Sequence, residues 1–177
     1  MQTNTGTGWT VARGTQADLP VIMQLYDAAI DYQKRNGFIG WDRIDERFIQ
    51  QDLDRGLLYV IRNEGTITVV FCICYTDELI WRERERCDAL YLHRVVVHPQ
   101  TRGGRLFERV LEWACVHAAE KGLRYLRMDT WADNERLIAY YEGYGFAFVE
   151  RHRTGNDAAL PEQHRNLNVA LLERAIF

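Results

Sequence analysis

Two hydrophobic periods divide the chain. Apolar residues at Leu19, Ile22, Met23, Tyr26, Ala29 and Ile30 recur at three- and four-residue intervals, the spacing of a helix that buries one face. Thr15 stands ahead of it as a cap, with Asp18 and Pro20 in the first turn, and Asn36-Gly37 closes it. The same period predicts helices over 45–55, ending at Gly56, over 104–121, ending at Gly122, and over 134–143. Between them run short β-branched stretches that read as strands: 9–13, 57–62, 66–75, 89–97, 123–130, 146–152 and 167–172. Asn63-Glu64-Gly65 joins the second and third as a hairpin, while WRERER (81–86) and 153–165 read as solvated loops. A hairpin followed by alternating strands and helices indicates an α/β (α+β) fold, a mixed sheet of six to seven strands flanked by about four helices.

No repeat or Pro/Gly/Ser linker interrupts this pattern, so one domain is expected over 9–177, after a flexible, polar start at 1–8. Its 177 residues, 47% of them hydrophobic, suffice for a substantial core. Twenty-two Lys and Arg against 25 Asp and Glu leave a net charge of −3, which removes the global basic field that nucleic acid or an anionic membrane would require. No apolar run is long enough to cross a bilayer, and MQTNTGTG lacks the features of a signal peptide, so a cytoplasmic protein is expected. Cys72, Cys74, Cys87 and Cys115 have no zinc-binding spacing; Cys72 and Cys74 read as small buried hydrophobes, and no metal is expected.

The stretch VVVHPQTRGGRLFERVLEWA (95–114) carries candidate chemistry. A strand that turns through adjacent glycines into a helix aims several backbone N–H groups at one point, and the helix dipole adds positive potential there. Gly103 and Gly104 admit close approach of an anion, and Arg102 and Arg105 offer charge-assisted hydrogen bonds. Neither the Lys-Ser/Thr of a P-loop nor the three spaced glycines of a dinucleotide fingerprint is present. Taken alone, the turn is equally a tight corner with surface arginines.

Together, LYLHRVVVHPQTRGGRLFERVLEWA and MDTWADNERLIAYYEGYGF, spanning residues 89–149, resemble the GNAT superfamily of acyl-CoA-dependent N-acetyltransferases. Gln100, Thr101, Arg102, Gly103 and Gly104 fit the family pattern of Gln or Arg, two residues, then Gly; Arg105 stands where that pattern has Gly or Ala, and Phe107 where a further Gly is frequent. Asn134 precedes Tyr141 by seven residues, and YEGYGF (141–146) matches the second motif.

The resemblance implies a GNAT-like, mostly antiparallel sheet splayed at its central strands, with acetyl-CoA as co-substrate in the gap. Its pantetheine arm would pair with Val95, Val96 and Val97, and its pyrophosphate would meet Gln100, Thr101, Arg102, Gly103, Gly104, Arg105 and Leu106. The implied reaction is direct attack of an amine on the thioester, with Tyr141 giving a proton to the departing sulfur. Asn134 and His93 are the other expected catalytic residues, and Asn134 and Tyr141 are also expected to touch the cofactor. Asp88, Asp129 and Glu150 join His93 as candidate bases. Residues 38–42, Tyr75 and Trp131 are expected near the acceptor amine, and a homodimer is expected by analogy. Two other classes stay open: a degenerate acyl-CoA-binding sensor or structural module, and an unrelated α/β protein holding another phosphate.

Overall fold

The computed structural model describes residues 3, 4, 8–98, 101 and 105–176. In chain order the elements are β1 (Thr3–Asn4), β2 (Trp9–Arg13), α1 (Leu19–Arg35), α2 (Glu46–Asp54), β3 (Leu58–Asn63), β4 (Thr66–Cys74), α3 (Glu78–Trp81), β5 (Ala89–Val97), α4 (Leu106–Glu120), β6 (Tyr125–Trp131), α5 (Glu135–Glu142), β7 (Ala147–Arg153) and β8 (Asn168–Ala175). The strands form one sheet in the order β1-β2-β3-β4-β5-β6-β8-β7, antiparallel throughout except for β5 and β6. The mixed α/β class and the mostly antiparallel sheet are as expected. Eight strands replace six to seven because Thr3–Asn4, in the stretch read as a flexible start, pairs with Thr10 and Val11.

Both faces of the central strands are covered. Leu58, Val60, Val70 and Cys72 point toward Ile22, Leu25 and Tyr26 of α1 and Ile49 of α2. Tyr59, Ile61, Phe71, Leu90 and Leu92 point the other way, onto Val110, Leu111 and Ala114 of α4. Two buried faces explain why β4 reads as an almost unbroken apolar run (TITVVFCIC) instead of alternating. Each fully buried Leu or Ile contributes roughly 1.5–3 kcal/mol, so this two-sided packing dominates the stability.

WRERER is not a simple solvated loop. Trp81 ends α3 and is 1% exposed, its ring against Tyr91 and beneath the Arg127 guanidinium at 4.7 Å. The charged residues after it do face water, in a short 3-10 turn at Arg82–Arg84. The tryptophan is held by β5 and β6, partners that lie beyond the reach of a local pattern.

Candidate active site

Two irregularities of β5 create the site. Pairing of β5 with β6 stops after Ala89, Leu90 and Tyr91 have met Tyr125, Leu126 and Arg127, so the C-terminal halves of both strands separate. Opposite β4 the register slips by one residue between Val70 and Cys72, and Arg94 takes a positive φ of 51°, which marks a β-bulge. Without it His93 and Arg94 would face opposite sides; with it Arg94 turns toward α2 and forms an ion pair with Asp52. The hydroxyl of Tyr26 donates to the Arg94 carbonyl at 3.1 Å, so side chains from α1 and α2 both pin the bulge.

Beyond the bulge, His98 N–H donates to Thr68 O at 2.7 Å on the β4 side, and Val96 sits opposite Val70. Strand alternation then turns the N–H and C=O groups of Val95 and Val97 away from β4, into the gap that β6 has left.

The gap opens into a cleft of about 560 Å³. Val95, Val96 and Val97 line one wall, Met128, Asp129, Thr130 and Trp131 the other, and Asn134, Tyr140 and Tyr141 of the α5 region close one end. Phe38, Ile39 and Trp41 form a third side, where Trp41 meets Trp131 edge-on with ring centroids 5.4 Å apart. Asn134 caps α5 by accepting from Leu137 N–H, and its amide nitrogen donates to Ile39 O at 3.1 Å. One side chain therefore starts the helix and ties the α1–α2 connection across the cleft.

Beside Trp41 and Trp131 lies a small recess of about 40 Å³, also bordered by His93, Asp129, Thr130 and His164. The His93 ring lies between two carboxylates, Nδ1 being 3.6 Å from Asp129 and Nε2 3.4 Å from Asp77, with Cys74 Sγ 3.3 Å from Nε2. Burial and the nearby Arg94 charge keep His93 neutral, far below its usual range. Burial pushes Asp129 up to about 6, against the pull of Arg94. Burial and then the charge of Asp129 push Asp77 up to about 8. His164 is driven down to about 3 by burial and Arg94. Asp77, His93 and Asp129 could together offer three metal-ligand atoms within 4.8 Å of one another, although opposite ring nitrogens of His93 face the two carboxylates.

Comparison with known proteins decides the family: the sequence model of the Acetyltransferase (GNAT) family matches residues 23–146. The chain belongs to the GNAT family. A curated relative, the uncharacterized N-acetyltransferase YesJ of Bacillus subtilis (strain 168), is 26% identical over 113 residues, which are 60% of this chain and 62% of YesJ. Among solved structures, a GNAT-family acetyltransferase from Listeria monocytogenes 4b F2365 superposes with a TM-score of 0.77 at 21% identity, over 99% of each chain. YncA of Salmonella typhimurium, solved with its cofactor acetyl-CoA, gives 0.63 at 17% identity, over 97% of this chain and 95% of its own.

Within this GNAT fold the expected site residues distribute unevenly. Val95, Val96, Val97, Asn134 and Tyr141 all line the cleft. Tyr141 packs on Phe107, and burial together with Asp129 raises its phenol, which stays protonated. Phe107 is buried under Tyr140, Tyr141 and Tyr144 as a core residue. Arg105 has a positive φ of 49° and extends its side chain outward to Glu108 at 2.8 Å. Leu106 is buried, and Thr101 donates its hydroxyl to His98 O at 3.0 Å. Gln100, Arg102, Gly103 and Gly104 lie outside the described residues.

Three expectations place residues differently. Tyr75 is not among the residues lining the cleft; its hydroxyl lies 2.9 Å from His117 Nε2, on the α4 side of the sheet. Glu150 is engaged by Arg82 and Arg84, and Asp88 lies 3.4 Å from Arg127. Of the four candidate bases, His93 and Asp129 border the recess. Sequence reading missed Asp77 and His164, whose neighbours come from distant elements.

Proposed function

We propose that this protein is an acetyl-CoA-dependent N-acetyltransferase that joins an acetyl group to a primary amine by direct attack in a ternary complex, in the cytoplasm and without a metal. The observation that carries the reading is the splay of β5 from β6, which leaves the amides of Val95 and Val97 facing a cleft that also presents Tyr141. Buried peptide groups with no strand partner need another hydrogen-bonding chain, and the amide-bearing pantetheine arm supplies one. When bound, acetyl-CoA provides the thioester whose carbonyl the amine attacks. The Val95 N–H is suited to stabilise charge on that carbonyl oxygen. Tyr141, which keeps its proton, donates a hydrogen bond and then the proton to the departing sulfur. The backbone from Gln100 to Leu106, with Arg102 and Arg105, would receive the pyrophosphate. YncA, solved with acetyl-CoA, supports this reading by its fold, as does the name of YesJ.

The test is a thiol-release assay with acetyl-CoA and a panel of primary amines. Turnover is expected with at least one amine, and Tyr141→Phe should lower kcat about 10- to 100-fold while leaving acetyl-CoA affinity within a few-fold. Binding of CoA without turnover on any amine would favour a sensor or structural module; no CoA binding would overturn both readings.

A further inference from the structure

The bulge leaves one peptide of β5 without a place in the β4 ladder. Val96 is opposite Val70 and His93 opposite Cys72, so Arg94 and Val95 together stand opposite Phe71, and the peptide that joins them is the extra one. A carbonyl without a ladder partner needs another donor, and the Arg94 oxygen finds it in the hydroxyl of Tyr26 on α1, at 3.1 Å. Tyr26 is 0% exposed, and burial raises its phenol well above the ordinary range, so the hydroxyl keeps its hydrogen. That single hydrogen has two neighbours to choose between. Cys72 Sγ stands 4.0 Å from the hydroxyl oxygen and is the weaker acceptor, so the hydrogen goes to the Arg94 carbonyl.

The Arg94 carbonyl and the Val95 N–H belong to the same peptide. That group is planar and trans, so its two ends point in opposite directions, and fixing one fixes the other. Val95 lines the cleft, whereas Tyr26 is not among the residues that line it. A hydrogen bond accepted by a peptide oxygen also draws electron density from the peptide nitrogen, which makes the N–H a stronger donor. Tyr26 therefore acts on the cleft through the backbone. Its ring has a separate contact, meeting Trp41 edge-on with centroids 6.1 Å apart.

We propose that Tyr26 is a positioning residue for acetyl transfer: its hydroxyl, bound to the Arg94 carbonyl, orients and polarises the Arg94–Val95 peptide so that the Val95 N–H bears on the thioester carbonyl. This inference rests on the acetyltransferase reading and adds to it a residue that touches neither substrate. The side chain of Arg94 has its own anchor in Asp52, so the bulge is held from α2 while its inserted peptide is aimed from α1. Loss of the Tyr26 hydroxyl alone should then spare the shape of the cleft and weaken the donor within it.

The experiment reads the carbonyl stretch of bound acetyl-CoA, labelled with carbon-13 at the thioester carbonyl, by isotope-edited infrared spectroscopy without any acceptor. On wild type the stretch should lie below its position in water, and Tyr26→Phe should lose about half or more of that shift. With an amine that is turned over, Tyr26→Phe should lower kcat about 10-fold, below the loss of about 100-fold or more that follows removal of a donor in direct contact. Acetyl-CoA affinity and acceptor KM should stay within about twofold, because the Asp52 ion pair and the ring beside Trp41 are retained. Cys72→Ala, which removes the other neighbour of the hydroxyl, should leave both the stretch and kcat as they are in wild type. Site-specific 3-fluorotyrosine at position 26 keeps the ring and makes the phenol a stronger donor, so it should deepen the shift even if Tyr26→Phe does not fold. A wild-type stretch in the fluorinated protein or in Tyr26→Phe, or an equal loss in Cys72→Ala, would overturn the proposal. Failure to bind acetyl-CoA would overturn the acetyltransferase reading and this inference together. A stretch that responds to Tyr26 as described, without turnover on any amine, supports the role of Tyr26 while counting against transfer.

Discussion

The two halves of β5 have the same kind of sequence and opposite surroundings. ALYL (89–92) pairs with β4 along its later residues and with β6 along its first three, and all four side chains are buried. RVVV (94–97) pairs only with β4, carries the bulge, and turns its other edge into the cleft. The contrast teaches that this fold builds its site by withholding a strand partner. The apolar side chains still anchor the strand to both cores, while the peptide edge remains available for a ligand.

The strongest ways to break that contrast act on its anchors. Asp52→Asn would leave the buried Arg94 charge without its counterion, at a cost of about 3–5 kcal/mol, and should also weaken CoA binding because the bulge loses its tie to α2. Leu90→Ala, at a fully buried position of the paired half, should cost about 2–5 kcal/mol in denaturant melts. In contrast to Asp52→Asn, the folded fraction should bind CoA normally. Equal effects of the two changes on CoA affinity would refute the division of the strand. Asn134→Ala should cost about 1 kcal/mol through loss of the α5 cap, and it also frees Ile39. An increase in acceptor KM alongside this small stability loss would place the tie at the cleft.

The gentlest probe is pH. Folded Asp77 keeps its proton to about 8, whereas the unfolded chain releases it near its ordinary value of 3.8. The native state binds more protons across that interval, so this group makes stability fall as pH rises. Buried neutral His164 acts in the opposite sense, its contribution being lost as pH falls from 6.5 toward 3. Above about 6.5 only the Asp77 slope remains of these two. Thermal midpoints of wild type should therefore decline between pH 6.5 and 8, and Asp77→Asn should flatten the decline.

Much of the fold was legible because it is local. The strand at 89–97 has the boundaries its β-branched run suggests, and the Thr15 and Asp18 capping box precedes α1 as the spacing indicates. Tertiary partners decided the departures: Trp81 sits within a charged string yet is buried by Tyr91 and Arg127, and Tyr75 follows the α4 side of the sheet to His117. The cleft-lining residues Val95, Asn134 and Tyr141 lay within contiguous motifs. The recess did not, since Asp77, His93, Asp129 and His164 come from four separate segments and meet only after the sheet has closed around them. The bulge was equally hidden, because Arg94 is an ordinary residue in a strand until its pairing with Asp52 is known.

Among the described residues, the strand pairing that joins the β1–β5 part of the sheet to the β6–β8 part is three rungs between β5 and β6. Under load the molecule would tear along that seam, and a ligand lying in the notch would act as a splint across it. Single-molecule pulling with and without CoA should thus show rupture at higher force when the ligand bridges the seam.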